Sequence, residues 1–301
     1  MTWLTHTRPN DGGAFAPPDA ASLFFDRLVE QSVGMASGFR RIDTTAAKLE
    51  IPRLLADGAA NWTAEGAEIA VSDPSADVVT ATPRKLAALS FMSNELVSDS
   101  NPAAQDMVAE NLARAVALKL DRGFFEGSGT APEITGLRNQ PGIQTYSMGT
   151  DGGPLTNLDP FADALGQLAG ANATGTAIVM HPRNWQAITK IKETDTSTKP
   201  VIVDGAGSPT AGVRRSIYGV PVHLTSQLST DEAEGAGTGT NSIYVYEAAQ
   251  VVAVMRQDVA VEVDTSTAFT SDRTAVRVKM RADLVLPNPE AVIRITGVLP
   301  G

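Results

Sequence analysis

The sequence predicts an α+β protein, and three stretches carry that expectation. Residues at about 101–126 show the start, the apolar stripe and the stop of one long helix. Residues 141–240 alternate helix-like and strand-like segments in the manner of an α/β block. From Gln250 onward, apolar and polar residues alternate with period two, the mark of half-buried strands.

Composition sets the outer bounds. The chain has 301 residues, 43% of them hydrophobic, enough to bury a real core, so global disorder is not expected. It has no cysteine, which excludes disulfides, thiolate metal sites and cysteine nucleophiles. No window approaches the roughly 18 uninterrupted apolar residues of a membrane span. The opening MTWLTHTRPNDGG lacks a basic start followed by an apolar run, so no signal peptide is expected. The net charge is −10, and the densest basic points are the pairs Arg40–Arg41 and Arg214–Arg215. Each reads as a solvated or ion-paired spot, not as a cluster that grips nucleic acid. An acidic protein can still enclose DNA, because net repulsion keeps the polymer off the wall.

Residues 1–21 are rich in Pro, Gly, Asp and Ala and read as an extended arm. Leu23, Phe24 and Leu28 suggest a short helix over 21–33, closed by Gly34 and Gly38. Residues 51–84 are unusual. Strand-like flanks, with Val79, Ala81, Leu86 and Ala88 on alternate positions, enclose turn chemistry at Asp57-Gly58, Glu65-Gly66 and Asp73-Pro74. A two-stranded ribbon of this length is marginal alone and needs a surface to lie on. That surface is either its own domain or a neighbouring subunit.

The long helix is the clearest element. Asn101 can cap it, Pro102 sits where a missing N–H costs nothing, and Asp106 suits the positive end. Val108, Leu112, Val116, Leu120 and Phe124 form one buried stripe, with Arg114, Lys119 and Arg122 on the outer face. Gly123 or Gly127 ends it. At 1.5 Å per residue, 102–126 spans roughly 37 Å.

In the following block, DPFADALGQLAG and HPRNWQAITKIKE read as helices and TAIVM as a buried strand. VRRSIYGVPVHLTSQL reads as strand–turn–strand, DEAEGAGTGT as a surface loop, and SIYVY as a strand. The closing strands VVAVM, VAVEVD, TAVRVKMRADLVL and AVIRITGV are expected to return to the long helix, whose stripe needs a sheet to cover it.

No catalytic, cofactor or metal site is expected. His6, His181 and His223 lack both the i, i+4 spacing and the acidic companions of a metal or hydrolase motif. Gly127-Ser128-Gly129 follows a helix, whereas a phosphate loop precedes one. No serine sits in G-x-S-x-G. Glu65/Glu68 and Glu193/Asp195 read as solvated charges. Trp185 reads as core, and Trp62, in a segment with little core of its own, as a subunit anchor.

Six motifs in order carry a family resemblance: W-T-A-E-G at 62–66, S-N-E-L-V-S-D-S at 93–100, and F-F-E-G-S-G-T at 124–130 with I-T-G-L at 134–137. Then come M-H-P-R-N-W at 180–185, Y-G-V-P-V at 218–222, and R-A-D-L-V-L-P-N-P-E-A at 281–291. Together they resemble the major capsid proteins of tailed bacteriophages, the Hong Kong 97 fold.

The resemblance implies an N-terminal arm at 1–45 and an extended β-hairpin, the E-loop, at 46–84. It implies a peripheral domain at 85–140 and 250–301, carrying the spine helix, and an axial α/β domain at 141–249. The implied function is self-assembly, as hexamers and pentamers, into an icosahedral head around double-stranded DNA held without sequence-specific binding. The resemblance leaves open whether separate scaffolding, portal and decoration proteins are further partners, and it implies no membrane. The place implied is the virion, and the host cytoplasm during assembly.

Candidate inter-subunit contacts are Trp62, Glu65, Glu68, Arg53, Arg84, Arg40 and Arg41. One branch of the family welds an E-loop lysine to an asparagine of another subunit. No lysine lies between Lys48 and Lys85, so no such cross-link is expected and Asn288 takes no such role. About 20 arm-like residues without a heptad pattern precede Ala21, so either a separate scaffold exists or none is needed. An encapsulin-type nanocompartment shell is the alternative within the fold. A soluble α/β enzyme or binding module is the reading from another class.

Overall fold

The computed structural model describes residues 31–56, 62, 63, 66, 75–93, 103–193, 199–201, 215–268 and 271–299. A short helix α1, Val33–Ala36, opens the described chain. It is followed by strands β1 (Arg40–Thr44), β2 (Leu49–Ala56), β3 (Ser75–Ala81) and β4 (Arg84–Ser93). The long helix α2, Ala103–Glu126, comes next. Then follow β5 (Gln144–Ser147), β6 (Gly153–Pro154), helix α3 (Asp159–Gly170), β7 (Ala177–Met180) and helix α4 (Pro182–Thr189). The chain closes with β8 (Ser216–Ile217), β9 (Val220–Leu224), β10 (Glu232–Glu234), β11 (Gly237–Tyr246), β12 (Val252–Ala268), β13 (Arg273–Val285) and β14 (Val292–Leu299).

These strands make three sheets. A four-stranded sheet runs β1-β12-β13-β4, with β1 parallel to β12 and the other pairs antiparallel. An eight-stranded sheet runs β5-β14-β11-β7-β9-β8, with β10 on β11 and β6 on β14. The ribbon β2-β3 is a sheet of its own.

Helix α2 joins the two larger sheets. Leu112, Val116, Leu120 and Phe124 are buried at the expected spacing of four, and Arg114, Lys119 and Arg122 face solvent. The stripe packs in one cluster with Met255, Val278 and Met280 of the four-stranded sheet and with Val179, Tyr244 and Tyr246 of the eight-stranded sheet. Phe39, just ahead of β1, seals this junction, its ring 5.4 Å from Tyr246 and 5.8 Å from Phe124. The opposite face of the eight-stranded sheet is closed by Phe161 and Leu168 of α3 and by Trp185 and Ile188 of α4.

Gly127 ends α2. Its amide donates to the Gly123 carbonyl at 3.0 Å, and its own carbonyl accepts from Gly136 at 2.9 Å. A Cβ at Gly127 would collide with the Gly123 and Ile134 carbonyls, and one at Gly136 with the Gly127 nitrogen. The glycines of this motif therefore let two backbone segments cross. In the Y-G-V-P-V motif, Tyr218 (φ 50°) and Gly219 (φ 81°) form the two-residue left-handed turn that a tight hairpin needs.

Several boundaries differ from expectation. The helix expected over 21–33 falls mostly outside the described residues, and α1 begins at Val33 with Gly34 buried inside it. Gly38, at φ 98°, makes the stop. Residues 40–44, expected within the arm, form β1 and pair with β12. Alternation from Val79 to Ala88 does not make one strand: Pro83 has no N–H for the ladder, so β3 and β4 separate there and enter different sheets. VVAVM and VAVEVD form one strand, bent by a register shift between Arg256 and Ala260.

The expected loop at 231–240 is a hairpin of β10 and β11. Strand β14 lies in the eight-stranded sheet rather than beside β13, although Val292 at its start still reaches the cluster around α2. Helix α4 stops at Thr189, short of the predicted end.

Candidate intersubunit surfaces

The described part of the ribbon is covered at its base. Leu49, Ile51, Val79 and Ala81 pack with Val252, Val254 and Val285 on the outer face of the four-stranded sheet. Asp283 pins this base by accepting from the Thr82 amide at 2.6 Å, and burial pushes its carboxyl above the usual range. Farther out, Arg53 donates to Asp77 across the strands at 2.7 and 3.2 Å, which holds the Asp77 carboxyl below its usual range. Val78 is half exposed and Trp62 is fully exposed, with its indole uncovered among the described residues. Glu65 and Glu68 lie outside the described residues.

The remaining candidates sit on the body of the protein. Arg41 pairs with Asp43 at 2.7 Å within β1. Arg40 is exposed, and its amide donates to the Val251 carbonyl at 2.8 Å. Arg84 is tied to its own chain, donating from Nη1 to the Glu133 carbonyl at 2.5 Å. It lines a groove of about 430 Å³ between β4 and α2, floored by Leu86, Leu120 and Ile134.

Sequence reasoning missed an open apolar surface among the described residues. On β4, odd-numbered residues point away from α2, and among them Leu89 is 57% and Phe91 49% exposed. Their register partners on β13 are Arg277 and Ala275. The signal was the alternation in RKLAALSFMS, which puts apolar side chains on both faces of one strand.

Two buried polar groups were also missed. Asp121, fully buried on α2, accepts from Ser32 Oγ (2.6 Å), Val33 N (2.8 Å) and Gly34 N (3.1 Å), so it anchors α1 to α2. Desolvation raises its carboxyl above the usual range, against the pull of those three bonds. The four-residue spacing from Ala113 and Ala117 placed it in a second buried row. Glu232 of β10 accepts from Ser242 Oγ (2.7 Å) and Arg294 Nη2 (2.8 Å). Arg138 lies 3.3 Å from its other oxygen, as an ion pair without hydrogen-bond alignment.

The histidines form no reactive constellation among the described residues. His181 Nδ1 accepts from the Arg183 amide at the start of α4, and burial lowers the pKa of both His181 and His223. Among the described residues, no three His, Asp or Glu side chains gather as metal ligands, and no helix is long and apolar enough to cross a membrane.

An apolar sheet face left open among the described residues is the kind of surface that meets another chain. The phage capsid family model matches residues 12–297. The major capsid protein of Klebsiella oxytoca phage phiKO2 is 21% identical over 311 aligned residues, spanning 97% of this chain and 70% of that protein. That of Enterobacteria phage HK97 is 26% identical over 66% of this chain, and the match spans 48% of the relative's own length. The solved capsid of an empty GTA particle superposes with a TM-score of 0.71 at 16% identity, over 97% of this chain and 94% of that one. The chain belongs to the phage capsid family and has the Hong Kong 97 fold. Membership implies a place in the virion, and these matches do not favour the encapsulin-type alternative.

Proposed function

We propose that this chain is the major capsid protein of a tailed double-stranded DNA phage, closing as hexamers and pentamers into an icosahedral head. The observation that carries the reading is the ribbon. Its base is packed on its own sheet, while Trp62 is fully exposed among the described residues. A two-stranded ribbon in that condition gains stability only against another surface. In a closed shell every copy both offers a ribbon and receives one, so many moderate contacts sum.

In this reading the ribbon β2-β3 is the E-loop, and α2 with the four-stranded sheet is the peripheral body. The block around the eight-stranded sheet meets its copies at the symmetry axes. With no lysine between Lys48 and Lys85, the contacts hold without a lysine weld from the ribbon. The genome is enclosed, without sequence-specific contact, by a wall whose subunits each carry a net charge of −10, and assembly proceeds in the host cytoplasm.

The test is to express the full chain and a variant lacking residues 57–74, then compare them by sedimentation velocity and electron microscopy. Shells from the full chain, and only monomers or free capsomers from the deletion, are expected. Intact shells from the deletion remove the ribbon from the account, and a full chain that stays monomeric at high concentration overturns the capsid reading.

A further inference from the structure

The groove between β4 and α2 lies at the foot of the ribbon, because only Thr82 and Pro83 separate β3 from Arg84. Four residues in a row, Arg84 to Ala87, line it. Side chains alternate across a strand, so a groove lined this way runs along the strand's edge, and β4 is an edge strand of its sheet. Its other walls are the turn of α2 around Leu120 and the segment that carries Ile134. Gly123 lets that segment lie close to the helix, since a Cβ there would meet Ile134 at 3.3 Å. The volume of about 430 Å³ is that of a small-molecule site, for which roughly 300–1,000 Å³ is usual.

The charge of the groove runs against that of the chain. Its lining holds three cations, Arg84, Lys85 and Lys119, and one acid, Glu133, an excess of two positive charges on a chain of net charge −10. Glu133 is engaged from the other side. It accepts from the Ser128 amide at 3.3 Å, and its hydrogen bonds with Ser128 hold its carboxyl below the usual range. Lys119 lies 3.8 Å from Glu133, too far for a hydrogen bond, and its side chain is 56% exposed. An apolar floor under surplus cations complements a ligand with one apolar end and one anionic end. A neutral apolar ligand would leave the cations without a partner, and a simple inorganic anion would leave the floor uncovered.

We propose that this groove is a binding site for a small amphipathic anion, an aliphatic carboxylate whose chain lies on Leu86, Leu120 and Ile134 and whose head meets Lys85 and Lys119. The inference goes beyond the shell reading and does not depend on it, because the whole site lies within one subunit. A ligand seated here touches β4, α2 and the segment carrying Ile134 at once, so it ties together three parts of the chain at the foot of the ribbon. Binding only the folded state, it raises the melting temperature. The lysine head groups face water, so added salt weakens the affinity.

The experiment titrates octanoate into the full-length chain, followed by ligand-observed NMR and by thermal melting, with 1-octanol and inorganic phosphate as the two half-ligands. Octanoate is expected to bind saturably with a Kd on the order of a millimolar, roughly tenfold tighter than either half-ligand, and to raise the melting temperature. Octanol binding as tightly as octanoate removes the anionic half of the proposal and overturns it. Phosphate binding as tightly removes the apolar half and equally overturns it, as does the absence of saturable octanoate binding.

Location is read by substitution. Lys85→Gln with Lys119→Gln should weaken octanoate roughly tenfold, and Lys85→Arg with Lys119→Arg should preserve its affinity. Arg114→Gln, on the outer face of the same helix, and Phe91→Ser, on the open sheet face, should leave it unchanged. Binding lost in Phe91→Ser and kept in the double glutamine variant places the ligand on the sheet and overturns the proposal. Methyl NMR of the wild-type chain gives the same answer with no variant to fold. Octanoate should shift Leu86, Leu120 and Ile134, and shifts confined to Leu89 contradict the site. None of these readings involves assembly, so failure here leaves the capsid reading standing, and a chain that never forms shells leaves this site standing.

Discussion

The eight-stranded sheet is closed on one face by α3 and α4 and on the other by the end of α2. Among the described residues, the four-stranded sheet has α2 on one face and the base of a ribbon on part of the other. The sequences differ accordingly. AIVM in β7 is buried at every position, as expected of a strand covered on both sides, whereas β4 and β13 alternate. The first sheet is finished within the chain. The second keeps apolar groups in water, and that unfinished surface is what a shell can use for assembly.

The contrast breaks most easily at matched phenylalanines. Phe161→Ala empties a site with no solvent exposure and should cost about 3–5 kcal/mol, read from urea midpoints of the unassembled chain. Phe91→Ala on the open face should stay within about 0.5 kcal/mol in the same assay and instead reduce assembly. Equal stability losses at the two sites would end the distinction.

Charged pairs sharpen it next. Glu232→Ala strands Arg294 beside a buried face of the closed sheet and should cost about 3–5 kcal/mol. Glu262→Ala on the open sheet should leave the melting temperature of the unassembled chain where it is, because its partners are already in water.

Smaller effects come from pH. Because burial raises the Asp121 carboxyl, the folded protein keeps that proton to higher pH than the unfolded chain does. Its contribution is therefore greatest below the usual carboxylate range and is lost as pH rises through the raised value. Asp121→Asn should flatten the fall in stability as pH rises above the usual carboxylate range, measured as denaturant midpoints, although Asp283 shares the same direction and keeps part of the slope.

How much was legible depends on whether a signal was local. Helix α2 could be read almost to the residue, because its stripe, outer charges and terminal glycine are set within one element. Trp185 in the core and Trp62 outside it followed from the company each keeps in sequence. Strand β14 could not be assigned to its sheet, because AVIRITGV suits either neighbour and pairing is decided by distant chain. Glu232 looked like loop acidity, since the Arg294 and Ser242 that bury it lie in other strands. Among the surface candidates, Arg84 and Arg41 carried charge but were already engaged at home. Leu89 and Phe91 were hidden by the habit of assigning apolar residues to a core.

The most direct measurement is a cryo-electron microscopy reconstruction of the assembled particle. The account predicts Trp62 and the open face of Leu89 and Phe91 covered by neighbouring copies. A shell in which that face remains open to solvent, or in which each ribbon folds back over its own sheet, would contradict it.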